Sequence, residues 1–441
     1  MFRFMRPAEA ALPRLLILDD EAMTGATLQR MVALSGFAAR HATNADDFFR
    51  LLKEWAPDVV SLDLVMPGMD GIEVIRSLGG QQQKALLIIT SGVGSRILEA
   101  AERSARAHGL DIVGFLPKPF SAATLRQLLL KTQARLAKRP PVVETASLPE
   151  RELSVAARQR LVAVRSPAAE PGPSVVDLRT ALDRLEIRLA YQPKVDCSTG
   201  ALVGFEALAR WIRPELGHVR PEVFIALAEQ HGLIDELTCR VTDLALAWLA
   251  GLAREAAACS ATVRSSLEQV QLSLNVSALS LGNQALFERM VLRCRQLGIA
   301  SQRVVLELTE TSAMQDAITA LDNLTRLRLQ GCHLSIDDFG TGYSSMVQLV
   351  KLPFSEIKID KSFVMRATSC EESRAVVRSV VDLGRSLGLS ITAEGVEDEA
   401  TLRYLKELGC DSVQGYWISR ALAPDAVIPW LLAHEARRLP H

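Results

Sequence analysis

The chain has 441 residues, 49% hydrophobic and 23% charged, with a formal net charge of −1; this suits a soluble globular protein of two ordinary domains. Near-neutral charge without a Lys/Arg-rich tail argues against nucleic acid or an anionic membrane as partner. The longest apolar stretch, around Leu244 to Ala253, is about half the roughly 20 residues a membrane span needs.

Arg3 and Arg6 are followed by no apolar core before Pro13, so no signal peptide is expected. Seven cysteines without a C-x-x-C pair read as reduced thiols packed as small hydrophobes, which points to the cytoplasm. In chain order, Leu15 to Leu18, Val59 to Leu62, Leu86 to Ile89 and Ile112 to Leu116 are short apolar runs of the kind a parallel sheet covered on both faces requires. Between them Thr24 to Ser35, Ala45 to Trp55, Gly71 to Leu78 and Arg96 to His108 carry helical spacing, and Ser121 to Leu136 closes the block. The alternation predicts a doubly wound, flavodoxin-like α/β domain over 14–136.

The strand ends of that domain carry its chemistry. Asp19 and Asp20 follow the first strand and Asp63 the third, where a doubly wound sheet forms its ligand crevice. Two carboxylates 4 Å apart repel by roughly 4 kcal/mol at an effective dielectric of 20, so the three together call for a cation, and oxygen-only ligands favour Mg²⁺. Ser91 supplies a hydroxyl, with Thr90 as its competitor, and Lys118 an ammonium. A nucleophile, a metal clamp and a charge partner are what an acyl-phosphate needs. With Met66-Pro67-Gly68-Met69-Asp70-Gly71, Ser91-Gly92 and Lys118-Pro119, the block resembles the response-regulator receiver family. The resemblance implies Asp63 as phosphoacceptor, one Mg²⁺ at Asp19 and Asp20, Ser91 and Phe115 as switch residues, and a cognate histidine kinase.

Residues 137–173 are Pro-punctuated and rich in Ala, Glu and Arg, which reads as a connector with one helix near Glu150 to Val164. A receiver face plus such a linker commonly dimerises, so a homo-oligomer is expected.

The remaining block, 174–439, again alternates strands and helices. Strands are predicted at Val203 to Glu206, Val270 to Val276, Val304 to Leu308, Leu334 to Asp337, Glu356 to Ile359, Ser390 to Ala393 and Ser412 to Val413. This rhythm favours a TIM-like (β/α)₈ barrel, typically ~250 residues, over an open α/β sheet. A longer segment, Ala253 to Gln269, reads as a surface insertion.

Glu206, Asn275, Glu307, Asp337, Asp338, Lys358, Glu394 and Gln414 lie where these strands end, so a barrel would gather them at one mouth. Five carboxylates (Glu206, Glu307, Asp337, Asp338, Glu394) against Lys358 leave a formal −4. Burying that charge alone would push several pKa values up; two divalent ions would neutralise it. The ligands are all oxygens, which favours Mg²⁺ or Mn²⁺ over zinc. Consecutive aspartates point to opposite faces of a regular strand, so both enter the site only if the strand ends there. A pair of ions bridged by one of them suits in-line attack of water on a phosphodiester.

Tyr191-Gln192-Pro193, Glu206-Ala207-Leu208, Asn275-Val276-Ser277, Glu307-Leu308-Thr309-Glu310, Asp337-Asp338-Phe339-Gly340, Lys358-Ile359-Asp360, Glu394-Gly395-Val396-Glu397 and Gln414-Gly415-Tyr416 stand in this order. The block resembles the EAL family of cyclic-di-GMP phosphodiesterases. The resemblance implies Glu206, Asn275, Glu307 and Asp337 on one Mg²⁺ or Mn²⁺ and Asp337 and Asp338 on a second, with Glu394 supporting. It implies Lys358 orienting and helping to deprotonate the attacking water beside Gln414, Arg210 on a substrate phosphate, Gln192 on a guanine and Glu310 anchoring the loop after Asp337. The product would be linear pGpG. The alternative is a catalytically inactive cyclic-di-GMP receptor; a DNA-binding output is disfavoured by the lack of a basic recognition helix. Trp211, Trp248 and Trp417 read as core rather than base-stacking residues.

Overall fold

The computed structural model describes residues 12–138, 173–213, 217–256, 261–309, 317–340 and 349–438. In the N-terminal domain, β1 (Arg14–Leu18), β2 (Ala38–Ala42), β3 (Val59–Asp63), β4 (Leu86–Ser91) and β5 (Asp111–Pro117) form one parallel sheet in the order β2-β1-β3-β4-β5. This is the doubly wound order with its crevice at the β1/β3 switch point. Helices α1 (Ala22–Leu34), α2 (Ala45–Trp55), α3 (Gly71–Gly80), α4 (Ser95–Ala107) and α5 (Ala122–Leu136) connect and follow the strands. Leu16, Leu18, Val60 and Leu62 enter one core cluster, whereas Leu15, Ile17 and Val59 enter another. The unbroken apolar runs therefore feed both faces of the sheet alternately. The edge strand β2 was not among the strands read from sequence. Its Ala-Ala-Arg-His-Ala run is mostly half-buried and carries no apolar signal.

The C-terminal sheet comprises β6 (Ile187–Asp196), β7 (Leu202–Arg213), β8 (Gly217–Val219), β9 (Gln271–Asn275), β10 (Val304–Thr309), β11 (His333–Phe339), β12 (Glu356–Ile359), β13 (Ser390–Ala393) and β14 (Ser412–Val413). Eight strands close into a barrel in the order β6-β14-β13-β12-β11-β10-β9-β7, with β7 pairing back to β6 and β8 appended outside β7. The barrel departs from strict (β/α)₈ regularity in one strand. β6 runs antiparallel to both neighbours, β7 and β14. The β6–β7 hairpin turns at Asp196, whose carboxylate accepts from the backbone N–H groups of Ser198 and Thr199, as an Asx turn does.

The segment read as a surface insertion is largely helix. The helix Ile234–Ala256 runs into it, and the helix Ala261–Glu268 buries Val263 and Leu267 in the barrel's apolar shell. Glu310, the helix expected near Glu150 to Val164, and most of the loop after Gly340 lie outside the described residues. Among the described residues no helix is long and apolar enough to cross a membrane.

Candidate functional site

Lys358 is the centre of the barrel mouth. Its side chain is 1% exposed, and Nζ lies 2.6 Å from Glu394 Oε1, 2.7 Å from Glu307 Oε2, 3.3 Å from Asp337 Oδ1 and 3.8 Å from Glu206 Oε2. These groups come from β7, β10, β11, β12 and the residue after β13. Glu206 also accepts from the Asn275 amide at 2.8 Å and from the Gln414 amide at 2.7 Å, and Gln414 donates to Gln192 at 3.1 Å. The reversed strand β6 thus carries Gln192 to the rim: it pairs Gln192 directly with Glu206 on β7.

The electrostatics follow from burial against Lys358, with the buried Lys194 ammonium acting on Glu206 and Glu307 from further off. Burial opposes the charge of Lys358, but the surrounding carboxylates outweigh it and hold its pKa well above the usual lysine value. Burial pushes Glu394 up to about 8 and Glu307 well above the ordinary carboxylate range, with Lys358 pulling the other way. Glu206 is lowered: burial works against its charge, but Lys358, Asn275 and Gln414 together stabilise the anion. Lys358 alone cannot serve all of these groups.

The two consecutive aspartates reach the site by a route the strand-end argument did not foresee. β11 continues to Phe339, but its pairing with β12 shifts register between Ile336 and Phe339, and Asp338 has φ +54°. A bulge with a left-handed residue turns the second carboxylate to the same side as the first. One oxygen each from Asp337, Asp338 and Glu394 then lie within 4.8 Å of one another. Asp338 is pushed up to about 6 by burial and by its neighbours Asp337 and Asp360.

The mouth opens into a cavity of about 440 Å³ lined by Gln192, Glu206, Asp337, Glu394 and Gln414, joined by Lys361, Met365, Glu397 and Tyr416. Lys361 and Met365 are not among the residues the sequence singles out, and Tyr416 stands there only within Gln414-Gly415-Tyr416, without a role; the short helix Lys361–Val364, capped by Asp360, brings Lys361 there. Glu206 does not end its strand, since β7 runs on to Arg213. Arg210 lies on that extension, donates to the Ala209 carbonyl and is not among the residues lining the cavity. Trp211 is core, and Trp248 stacks on Tyr191. Trp417 is half exposed and so departs from the core reading.

In the N-terminal domain Lys118 Nζ bridges Asp19 Oδ2 at 2.8 Å and Asp63 Oδ2 at 2.5 Å. The Lys118 N–H donates to the Ser91 carbonyl, which ties the ends of β4 and β5 together. Asp19, Asp20 and Asp63 each offer an oxygen within 4.8 Å of the others, with Asp20 on the solvent side. Burial raises the Asp63 carboxyl, and Lys118 opposes the rise. Ser91 is buried, and Phe115 packs on the same apolar cluster as Met66 and Met69.

Both acidic clusters fit divalent cations by donor chemistry: all oxygens, with Asp63 and Asp338 raised by burial first and by a neighbouring carboxylate after it. In the barrel, Asp337, Asp338 and Glu394 are already convergent, whereas Asn275 presents its amide nitrogen to Glu206 and would have to turn its oxygen inward to ligate.

Comparison with known proteins agrees with both halves. The family model of the response regulator receiver domain matches residues 15–130, and that of the EAL domain matches residues 175–421. The cyclic di-GMP phosphodiesterase RocR of Pseudomonas aeruginosa is 33% identical over 416 residues, covering 92% of this chain and 95% of RocR. The barrel superposes on the EAL enzyme Bd1971 in its cAMP- and cyclic-di-GMP-bound form with a TM-score of 0.56 at 30% identity, over 58% of this chain and 68% of that one. It superposes on the PaMucR phosphodiesterase in complex with c-di-GMP with a TM-score of 0.52 at 37% identity, over 57% of this chain and 98% of that one. The chain belongs to the EAL domain family and carries a response regulator receiver domain ahead of the barrel.

Proposed function

We propose that the barrel hydrolyses cyclic-di-GMP to linear pGpG with two Mg²⁺ or Mn²⁺ ions. We further propose that the receiver, holding one Mg²⁺ and phosphorylated on Asp63 by a histidine kinase, regulates it. The units are 14–136 and 174–439, joined by 137–173. The observation that carries the reading is the crowding of Glu206, Glu307, Asp337 and Glu394 around Lys358 at 2.6–3.8 Å beneath an open cavity. An acidic pocket of this kind accepts a phosphodiester only when cations are present. The similarity to RocR over nearly its whole length supports the substrate.

Glu206, Asn275, Glu307 and Asp337 would hold one ion, and Asp337 and Asp338 the other, with Glu394 supporting. Bound there, the ions would stabilise the attacking and leaving oxygens of an in-line displacement. Lys358 keeps its proton among four carboxylates, so its part is to orient the attacking water by donating to it. Glu394, 2.6 Å from Lys358 Nζ, would support the ions and help hold the attacking water in place. Gln414 fixes Glu206 and touches Gln192, which would read a guanine edge. Arg210 would meet a substrate phosphate beyond the rim, and Glu310 would anchor the following loop.

The test is turnover of cyclic-di-GMP by the full-length protein with Mg²⁺ or Mn²⁺. Linear dinucleotide should form, and Glu206→Ala should abolish it. Binding of cyclic-di-GMP without turnover would favour the receptor instead, and an unchanged rate in Glu206→Ala would remove that residue from the mechanism.

A further inference from the structure

The receiver does not stand clear of the barrel. Its α3 and α4 helices pack on the barrel helix Ala317–Leu329, with Ala100 of α4 in the barrel's apolar cluster and Leu329 against the receiver's. Polar contacts are built into this face; besides Arg76 donating to Gln284, two groups stand out. Asp322 of the barrel helix, 4% exposed at its side chain, accepts from Ser104 at 2.5 Å and bonds His108 Nε2 at 2.7 Å, both from the receiver. One turn further on, Arg326 donates to Asp70 at 2.7 Å and to Glu73 at 3.2 Å, with Glu288 of the barrel 3.5 Å away.

The position of these contacts in the chain gives them a use. Asp70 ends the loop that begins after Asp63, and it divides its oxygens between two tasks. Oδ1 caps α3 through the N–H groups of Ile72 and Glu73, while Oδ2 holds Arg326. A cavity of about 550 Å³ lies between this loop and the barrel, bounded by Val65, Met66 and Pro67 on one side and Phe287 and Leu327 on the other. The loop thus faces open space on its barrel side, while Leu64, Met66 and Met69 pack on the receiver's core. On the barrel side, the clamped helix leads through 330–332 into β11, the strand that carries Asp337 and Asp338. Arg96 of α4 adds a further tie by donating to the carbonyls of Leu387 and Phe354, the latter two residues ahead of β12, the strand that carries Lys358.

We propose that the Asp70–Arg326 and Ser104/His108–Asp322 contacts are the interface through which the state of Asp63 reaches the acidic rim. The barrel helix Ala317–Leu329 is the element that moves or stiffens. This deepens the regulatory part of the reading above and rests on it. Arg326 and Asp322 act by positioning, since neither touches the rim.

The test uses the full chain with Mg²⁺, with and without beryllofluoride as the phosphoryl mimic at Asp63, and reads amide hydrogen exchange together with cyclic-di-GMP turnover. In the wild type, beryllofluoride should change exchange both at 64–70 and across 317–339, and should change turnover by at least about fivefold, the low end of ordinary coupling. In Arg326→Met with Asp322→Asn, the response at 64–70 should persist, which also shows the receiver is folded. The response across 317–339 should vanish and the turnover ratio should fall to about 1. Arg326→Lys should restore part of it.

A wild-type response at 64–70 that never extends to 317–339, or variants that keep the wild-type ratio, would overturn the interface. Exchange reports without substrate. If it behaves as expected while no linear dinucleotide forms, the hydrolase reading fails and the interface stands.

Discussion

The two acidic clusters use the same components and differ in enclosure. In the receiver, Lys118 is 22% exposed and bridges two aspartates, with the third on the solvent side. In the barrel, Lys358 is 1% exposed and faces four carboxylates. Solvent reaches the lysine itself in the first; in the second it reaches the carboxylates only from the cavity side. A lysine partly open to water shares its aspartates with solvent, whereas carboxylates left unmatched around a buried lysine take up protons instead.

The largest expected effect is Lys358→Met. Removing the shared cation should lower turnover by about 10²–10³-fold. It should destabilise the metal-free barrel by about 3–5 kcal/mol, the usual cost of stripping one partner from a buried ionic group. Lys118→Met, beside a partly solvated cluster, should cost much less in thermal or denaturant unfolding. Equal losses would break the comparison.

Next in size is the effect of removing metal. Glu394 is raised from an ordinary 4.5 to about 8 by burial, so the folded state binds its proton more tightly than the unfolded state does. In chelated protein its contribution is full below about pH 4.5 and is lost as pH rises through about 8, so stability should fall across that window. Saturating Mg²⁺ should flatten the profile. A metal-free protein whose melting temperature rises with pH over the same range would contradict the electrostatic account.

Asp338→Asn should have a smaller effect of opposite sign in the two conditions. It removes a carboxylate crowded by Asp337 and Asp360, and so should raise the metal-free Tm by about 2–4 °C, one kcal/mol for a domain of this size. It should also raise the Mg²⁺ concentration needed for half-maximal turnover. A Tm that falls would show that the bulge at Asp338 depends on its charge. The smallest effect should be that of Asp63→Asn on basal turnover, which should stay within about twofold while the response to a phosphodonor is lost. A large basal loss would mean that the receiver supports the barrel's stability more than it switches it.

Much of this molecule was legible along the chain because its sheets announce themselves. Runs such as Leu15 to Leu18 or Leu86 to Ile89 are apolar throughout, since both of their faces are covered. Strand β2 was not legible, because an edge strand with Arg40 and His41 lacks that signal. Strand β6 alternates from Ile187 through Leu189 to Tyr191, but Pro193 within it demotes a run that sequence rules would otherwise accept. Its reversed direction has no local mark at all, because direction is set by which neighbour the strand pairs with.

The order of motifs was sufficient to identify two domains, their families and the acidic residues at their strand ends, because apolar periodicity and chemically specific residue types are local properties of the chain. The gathering of these groups and Gln192 at one mouth was expected too; settled only in three dimensions were the distances to Lys358, the bulge that turns Asp338 beside Asp337, the place of Lys361 at the cavity, and the clamp of Asp322 and Arg326 by the receiver. Each depends on residues far apart in sequence meeting at a few ångströms, and it is barrel closure and domain packing that set those distances.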